Sequence, residues 1–349
     1  MPTPLQYPFA EPPLPGTTHT VAPGVRWLRM PLPFALDHIN LWLLEDEKDG
    51  EAGFTIIDCG LSNDSTRAAW EKVFATHLGG LPVHRLIVTH YHPDHAGNAG
   101  WLLEKFGCDM WMTQGEYLTA HAVMDSAAGY SPEAAIALYK INGMDATNDA
   151  ELAKRGHFYR KSVLPLPARY RRMLDGDTLT IGGRGWQVIV GHGHAPEHAS
   201  LYCAGLGVCI SGDMLLPKIS TNVSVWSVEP DGDPLRQFLT SIRAYLGLPA
   251  DTLVLPSHGL PFRGAHERVA ALEQHHADRL AELEEAIAKA PSPLAAFDVL
   301  EVLFRRKLDA HQTTFAMGEA IAHLHYLRNA RRARRAVGAD GIVRYAPVT

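Results

Sequence analysis

Between residues 89 and 95 the chain reads Thr-His-Tyr-His-Pro-Asp-His, which places His90, His92, Asp94 and His95 within six positions. Ordinary core packing does not satisfy three imidazoles and a carboxylate at that density. Histidine nitrogen and aspartate oxygen are the usual donors to zinc and similar divalent metals, with bonds of about 2.0–2.2 Å. His90 and His92 alternate along the chain, so on an extended segment they point the same way, and Pro93 bends the chain before Asp94 and His95. The pattern reads as two ligand pairs aimed at two adjacent ions, because one tetrahedral ion with an open position needs only about three protein ligands. The competing reading is a polar loop with incidental histidines. It is disfavoured by the ordered hydrophobic run just before the loop, which fixes the ligands in place.

That run, residues 83–89, is apolar with β-branched members and reads as a buried strand, and residues 97–106 read as a helix. The ligand-rich segment therefore sits on a turn at a strand end, where side chains can fan toward one point. Four other strand-like runs end in similar chemistry. Residues 186–190 lead into Gly191-His192-Gly193-His194, and 208–210 into Ser211-Gly212-Asp213. Residues 253–255 lead into Pro256-Ser257-His258-Gly259, and 54–57 into Asp58-Cys59-Gly60.

The segment from His90 to His95 matches the His-x-His-x-Asp-His motif of the metallo-β-lactamase-fold hydrolases, and all five blocks stand in that superfamily's order and rough spacing. The chain resembles this superfamily over most of its length. The resemblance implies an α/β (α+β) fold, an αββα sandwich, and two divalent metal ions, zinc first, with iron or manganese as alternatives. It implies one ion held by His90, His92 and His194, a second by Asp94, His95 and His258, and Asp213 bridging them. The second block departs from the pattern. Many members read Pro-Gly-His-Ser-Pro-Gly-His, whereas this chain reads His192-Gly193-His194-Ala195-Pro196-Glu197-His198, which leaves His192 as a rival ligand. Alignment on Gly193 and Pro196 favours His194. Asp58 and His198 are expected to support ligands rather than bind metal.

Such a site implies hydrolysis. Two ions about 3.5–4 Å apart can hold a bridging hydroxide at neutral pH, with Asp94 and Asp213 as the catalytic carboxylates that orient it. The bond attacked would be an ester, thioester, lactone, amide or phosphodiester, with a small carboxylic ester, thioester or lactone preferred. Gly-x-Ser-x-Gly is absent, and Cys59 reads as a small buried strand-end residue. Iron-dependent oxygenases on this fold tend to lack part of the second ligand set, which is complete here.

The chain has 349 residues, 46% of them hydrophobic, with a formal net charge of −6. That length accommodates an extended arm over residues 1–24, a catalytic domain over 25–264 and a separate tail over 265–349. The four cysteines show no Cys-x-x-Cys spacing and read as reduced thiols. The proline-rich start lacks the pattern of a signal peptide and no run is long enough to span a bilayer, so a cytoplasmic enzyme without membrane contact is expected. Within the catalytic domain, residues 115–172 form a helical insertion, with Ser131-Pro132-Glu133 as a helix start. It is either a lid or wall of the substrate pocket, or a segment that packs on itself or at a homodimer contact. The loop over 214–234 opens from Asp213 and offers Lys218 and Trp226 to a small-molecule substrate, and Asp233-Pro234 then starts a helix reaching about Leu246.

In the tail, helices are expected over 265–290, 292–306 and 314–335, followed by a hairpin over 337–345, with His275 and His276 on a solvated face. Three helices and a hairpin resemble the winged-helix tail of one branch of the superfamily. Some members of that branch cut RNA, and Arg328, Arg331, Arg332, Arg334 and Arg335 extend that implication to single-stranded RNA. The acidic balance disfavours nucleic acid, and an arginine run at a helix C-terminus is stabilised by the helix dipole without any ligand.

Overall fold

Two sheets carry the ligand-bearing strand ends. The computed structural model describes residues 4–127, 129–305 and 308–348. The first sheet has seven strands in chain order: His19–Ala22, Val25–Pro31, His38–Lys48, Glu51–Ile57, Val83–Ile87, Asp109–Met112 and Arg171–Arg172. Its early pairs are antiparallel and those from Glu51–Ile57 onward are parallel, so several strands end at the same edge. The second sheet orders Leu253–Pro256, Val208–Gly212, His198–Cys203, Arg184–Gly191 and Thr178–Ile181.

The inner faces of the two sheets share one core, in which Trp27, Trp42, Ile57 and Ile87 of the first pack with Trp186, Val188, Leu201, Ile210 and Leu255 of the second. The outer face of the first sheet, including Leu41, Leu43, Ile56 and Leu86, receives Trp70 and Val73 of helix Asp64–His77 and Leu102 of helix Ala99–Phe106. On the second sheet, Ser200 is hydrogen-bonded to Tyr245 Oη (2.6 Å) of the turn Ile242–Gly247. This is the expected αββα sandwich, with each apolar sheet face covered.

Element ends differ from the sequence expectations for local reasons. The motif strand stops at Ile87 because the Thr89 N–H donates to Asp58 Oδ1 (2.8 Å) instead of to a ladder. Residues 97–106 are preceded by a separate turn, Pro93–Ala96, with Pro93 at its first position, and the helix proper begins at Ala99. The helix from Pro234 ends at Ser241 and continues as a 3-10 turn to Gly247.

The residues divide into two compact units, and the division is not sequential: residues 1–124, 159–221 and 242–269 form the first, and 125–158, 222–241 and 270–349 the second. The middle of the insertion thus sorts with the tail, where Phe297 N–H donates to Asn142 O (3.2 Å) and Gly143 faces Ala295. The tail itself differs from its sequence reading. Leu294 exchanges backbone hydrogen bonds with Tyr345, which holds the chain extended there, so a helix cannot begin at Ser292; among the described residues of that stretch, Phe297–Val299 and Leu300–Leu303 are helical. The expected end of that helix, Arg306, lies outside the described residues. The last helix is Ala310–Asn329, opened by a capping box between Asp309 and Gln312. Arg331 then turns the chain at φ +57°, and Ala333–Val337 pairs with Val343–Pro347, so Arg334 and Arg335 lie on a hairpin rather than a helix end. His276 is not solvated but fully buried, 3.1 Å from His323.

Candidate metal centre

Among the described residues, two groups of donor atoms converge, each within 4.8 Å: His90, His92, His194 and Asp213 in one, and Asp94, His95 and His258 in the other. All seven lie in the first unit. His90 and His92 follow the end of strand Val83–Ile87, Asp94 and His95 sit on the turn Pro93–Ala96, and His194, Asp213 and His258 follow the ends of Arg184–Gly191, Val208–Gly212 and Leu253–Pro256. His192, the rival to His194, is exposed and donates its Nδ1–H to Pro196 O (2.6 Å), outside both groups.

The spacing of these atoms fits metal coordination. Two ligands about 2.1 Å from one tetrahedral ion stand about 3.4 Å apart. Here His90 Nε2 lies 3.2 Å from His194 Nε2 and 2.9 Å from His92 Nδ1. His258 Nε2 is 3.5 Å from Asp94 Oδ2. Asp213 faces both groups: its Oδ2 is 3.4 Å from His194 Nε2, and its Oδ1 is 3.5 Å from both His95 Nε2 and His258 Nε2. His95 Nε2 and Asp213 Oδ1 are buried with no hydrogen-bond partner among the described residues, a costly arrangement unless a cation meets them.

The surrounding groups aim the ligands. Asp58 adopts φ +60° and is buried; its Oδ2 accepts from His95 Nδ1–H and from the Thr89 hydroxyl, both at 2.8 Å, which turns His95 Nε2 inward. His258 Nδ1–H donates to His38 O (2.8 Å) with the same result. His198 is buried, and its Nε2 accepts the Asp213 backbone N–H (3.1 Å), so it holds the shared carboxylate and stays outside both groups. Gly212 is required there: at φ +53° its Cβ would lie 2.3 Å from His198 Nε2.

Electrostatics separate the two groups. Burial and the neighbouring imidazoles hold His90 and His92 well below the ordinary histidine value. Burial also lowers His95, but Asp58, Asp213 and Asp94 outweigh it and raise the imidazole well above its usual range. Burial likewise lowers His258, but Asp213 and Asp94 reverse the sign. Burial raises the Asp213 carboxyl, yet His258 and His95 leave it well below normal. Burial, then His194, brings His198 down to about 3.

Cys59 is buried, with Sγ donating to His95 O (2.8 Å), and burial pushes its thiol well up, so it is a packing residue. Lys218 is exposed, and Trp226 is 41% exposed in the second unit; neither joins the donor groups. Sequence reasoning missed Glu116. It is fully buried just beyond strand Asp109–Met112, and burial raises its carboxyl to about 8 against the pull of backbone N–H groups on Glu197 and Tyr91. Its signal was position, since this strand ends at the same edge as the motif strand.

An αββα sandwich with two adjoining His/Asp donor groups at its strand ends defines a class of metal-dependent hydrolase. The metallo-beta-lactamase superfamily profile matches residues 35–258, and the chain belongs to that superfamily. A metallo-beta-lactamase-like C-terminal domain profile matches residues 280–348. The chain is 27% identical over 310 residues to the "Probable metallo-hydrolase YqjP" of Bacillus subtilis, covering 86% of this chain and 91% of that protein. The crystal structure of a beta-lactamase domain protein from Burkholderia ambifaria superposes with a TM-score of 0.92 at 48% identity, covering 99% of this chain and 98% of the other. A metallo-beta-lactamase family protein from Thermus thermophilus gives 0.78 at 29% identity, covering 94% and 100%. The protein is thus a metallo-hydrolase of this superfamily whose His/Asp groups can bind divalent metal.

Proposed function

We propose that the protein hydrolyses a small carboxylic ester, thioester or lactone with two divalent cations, zinc first. His90, His92 and His194 would hold one cation, Asp94, His95 and His258 the other, and Asp213, which faces both groups, would serve the two together. The observation that carries this reading is Asp213, whose two oxygens face different donor groups at 3.4 and 3.5 Å. When bound, the cations lower the pKa of water toward about 7 and polarise the oxygen that gains charge. The chain's own part is to fix direction. Asp58 and His38 set the proton-bearing nitrogens of His95 and His258 outward, His198 holds the Asp213 backbone, and Asp94, with its carboxylate 21% exposed, is open to orient a water and take its proton. Lys218 is a candidate contact for the acyl portion.

RNA hydrolysis through a winged-helix-like tail is the weaker reading. Arg328 and Arg335 both pair with Asp231, and Arg332 pairs with Glu284, which takes three of the five arginines away from phosphate. The cytoplasm is the compartment this reading assumes; all four cysteines are free, and among the described residues no helix is long and apolar enough to cross a membrane. The test is metal analysis followed by a screen of zinc-, manganese- and iron-loaded protein on thioesters, lactones, esters, phosphodiesters and single-stranded RNA. Turnover of a thioester, lactone or ester with metal bound is expected. Salt-sensitive RNA cleavage with inert esters, or protein that binds no divalent metal, would sink the reading.

A further inference from the structure

We propose that Glu116 is a positioning residue that staples the two ligand-bearing loops together, so that the His90, His92 and His194 position depends on a carboxylate that touches no metal. The proposal rests on the dinuclear reading above. Glu116 Oε2 accepts the Tyr91 N–H (3.0 Å), and Oε1 accepts the Glu197 N–H (2.6 Å). Tyr91 lies between His90 and His92, and Glu197 lies between His194 and His198. One carboxylate therefore grips both loops within one residue of a proposed ligand or its support.

The two segments also meet where Ala199 N–H donates to Thr89 O (2.9 Å). One attachment leaves a rotation between the loops, and a second at Glu116 removes it. The grip is reciprocal. Glu197 Oε2 accepts the Gly115 N–H (2.8 Å), and the Thr113 hydroxyl donates to Glu197 O (2.7 Å). A Cβ at Gly115 would sit 3.0 Å from Glu197 Cγ and Cδ, so the absence of a side chain lets that carboxylate seat closely. From the other side, the Tyr159 hydroxyl donates to Tyr91 O (2.7 Å).

The chemistry of the staple needs a carboxylate. Both backbone groups are donors, and each meets its own oxygen of the Glu116 carboxyl group. Glutamine offers one acceptor and turns an NH2 toward the other N–H, while aspartate is short by one carbon–carbon bond, about 1.5 Å. Packing alone would be met at lower cost by an apolar side chain, because a fully buried carboxylate is expensive.

The experiment compares wild type, Glu116→Gln and Glu116→Asp as full-length protein loaded with Co(II), reading the visible ligand-field spectrum and Co(II) affinity against a competing chelator. Wild type is expected to bind two equivalents. Both variants are expected to bind one of them about 10–100-fold more weakly, with an altered spectrum, as for other groups that orient ligands. Circular dichroism identifies which variants fold, and Glu116→Asp, which keeps the carboxyl group, carries the test if Glu116→Gln does not. A folded variant with wild-type affinity and spectrum overturns the staple alone. Wild-type protein that takes up no cobalt overturns the staple and the dinuclear reading together.

Discussion

The two donor groups share Asp213 yet are built on opposite electrostatics. In the first, three imidazoles crowd one another, with His90 Nε2 2.9 Å from His92 Nδ1, and burial keeps His90 and His92 from taking protons. In the second, Asp213 and Asp94 raise both His95 and His258 against burial, and Asp58 raises His95 further. Protons are disfavoured on His90 and His92 and favoured on His95 and His258. If each group holds a cation, as proposed, the two positions are expected to differ in pH sensitivity and to depend alike on Asp213.

Asp213 is the group whose removal tests the shared half of that comparison most severely. Asp213→Ala is expected to empty or loosen both positions and reduce hydrolysis by about 10³-fold or more, since the Lewis-acid contribution is worth several kcal/mol. Metal analysis and kcat/KM on one preparation check it. An Asp213→Ala protein with two tightly bound equivalents and near-normal turnover would dismiss the bridging role.

Asp58→Ala separates the positions. Asp58 bonds one donor directly, His95, at 2.8 Å, which fixes which nitrogen carries the proton, and reaches His90 only through the Thr89 hydroxyl. The expected effect is about 10–100-fold weaker binding of one equivalent, with the other retained. Equal weakening of both equivalents would mean that the positions are not separable. Asp58 also shows how much of the site was legible. Its place at a strand end was readable, as was the dense run from His90 to His95, while His194, Asp213 and His258 came through the family resemblance. Its φ of +60° and its hold on His95, thirty-seven positions on, were not. Glu116 escaped for the same reason, being bonded to residues 25 and 81 positions away with no local pattern to mark it. The sandwich was legible from its apolar strands, but the tail was misread around Ser292 and Arg334. There, pairing of Leu294 with Tyr345 and of Arg334 with Ala346 overrode helix-compatible local sequence.

Acidification is the next, smaller lever, and its sign follows from the shifts. In metal-free protein, the raised values of His95 and His258 contribute stability that is fully present below about pH 6.5 and is lost as pH rises through those values. Metal binding to this group must displace those protons, so its affinity falls about tenfold for each unit the pH is lowered, per proton displaced. His90 and His92 have lowered values, so these two ligands have no proton to give up until pH falls well below about 6.5. Dialysis from about pH 7.5 to about pH 5.5 is expected to remove the second equivalent before the first. Parallel loss of both would erase the electrostatic contrast.

The smallest effect is expected far from these groups, at the arginines of the second unit. Arg332 makes a two-point contact with Glu284, with Nε 2.7 Å from Oε1, and both side chains are more than a third or close to a third exposed. Surface pairs of this kind are worth about 0–1 kcal/mol after solvent screening. Arg332→Ala should therefore shift the melting midpoint by no more than a few degrees and leave ester or lactone hydrolysis within about twofold. The same variant also probes the reading set aside for the tail. Were the arginines a phosphate-binding surface, losing one would weaken RNA binding and flatten its salt dependence by about one ion. An ion pair with Glu284 instead predicts that Glu284→Ala and Arg332→Ala have similar small costs and that the double variant costs little more than either. That cycle, measured by thermal melting, distinguishes a structural pair from a ligand site without assuming a substrate.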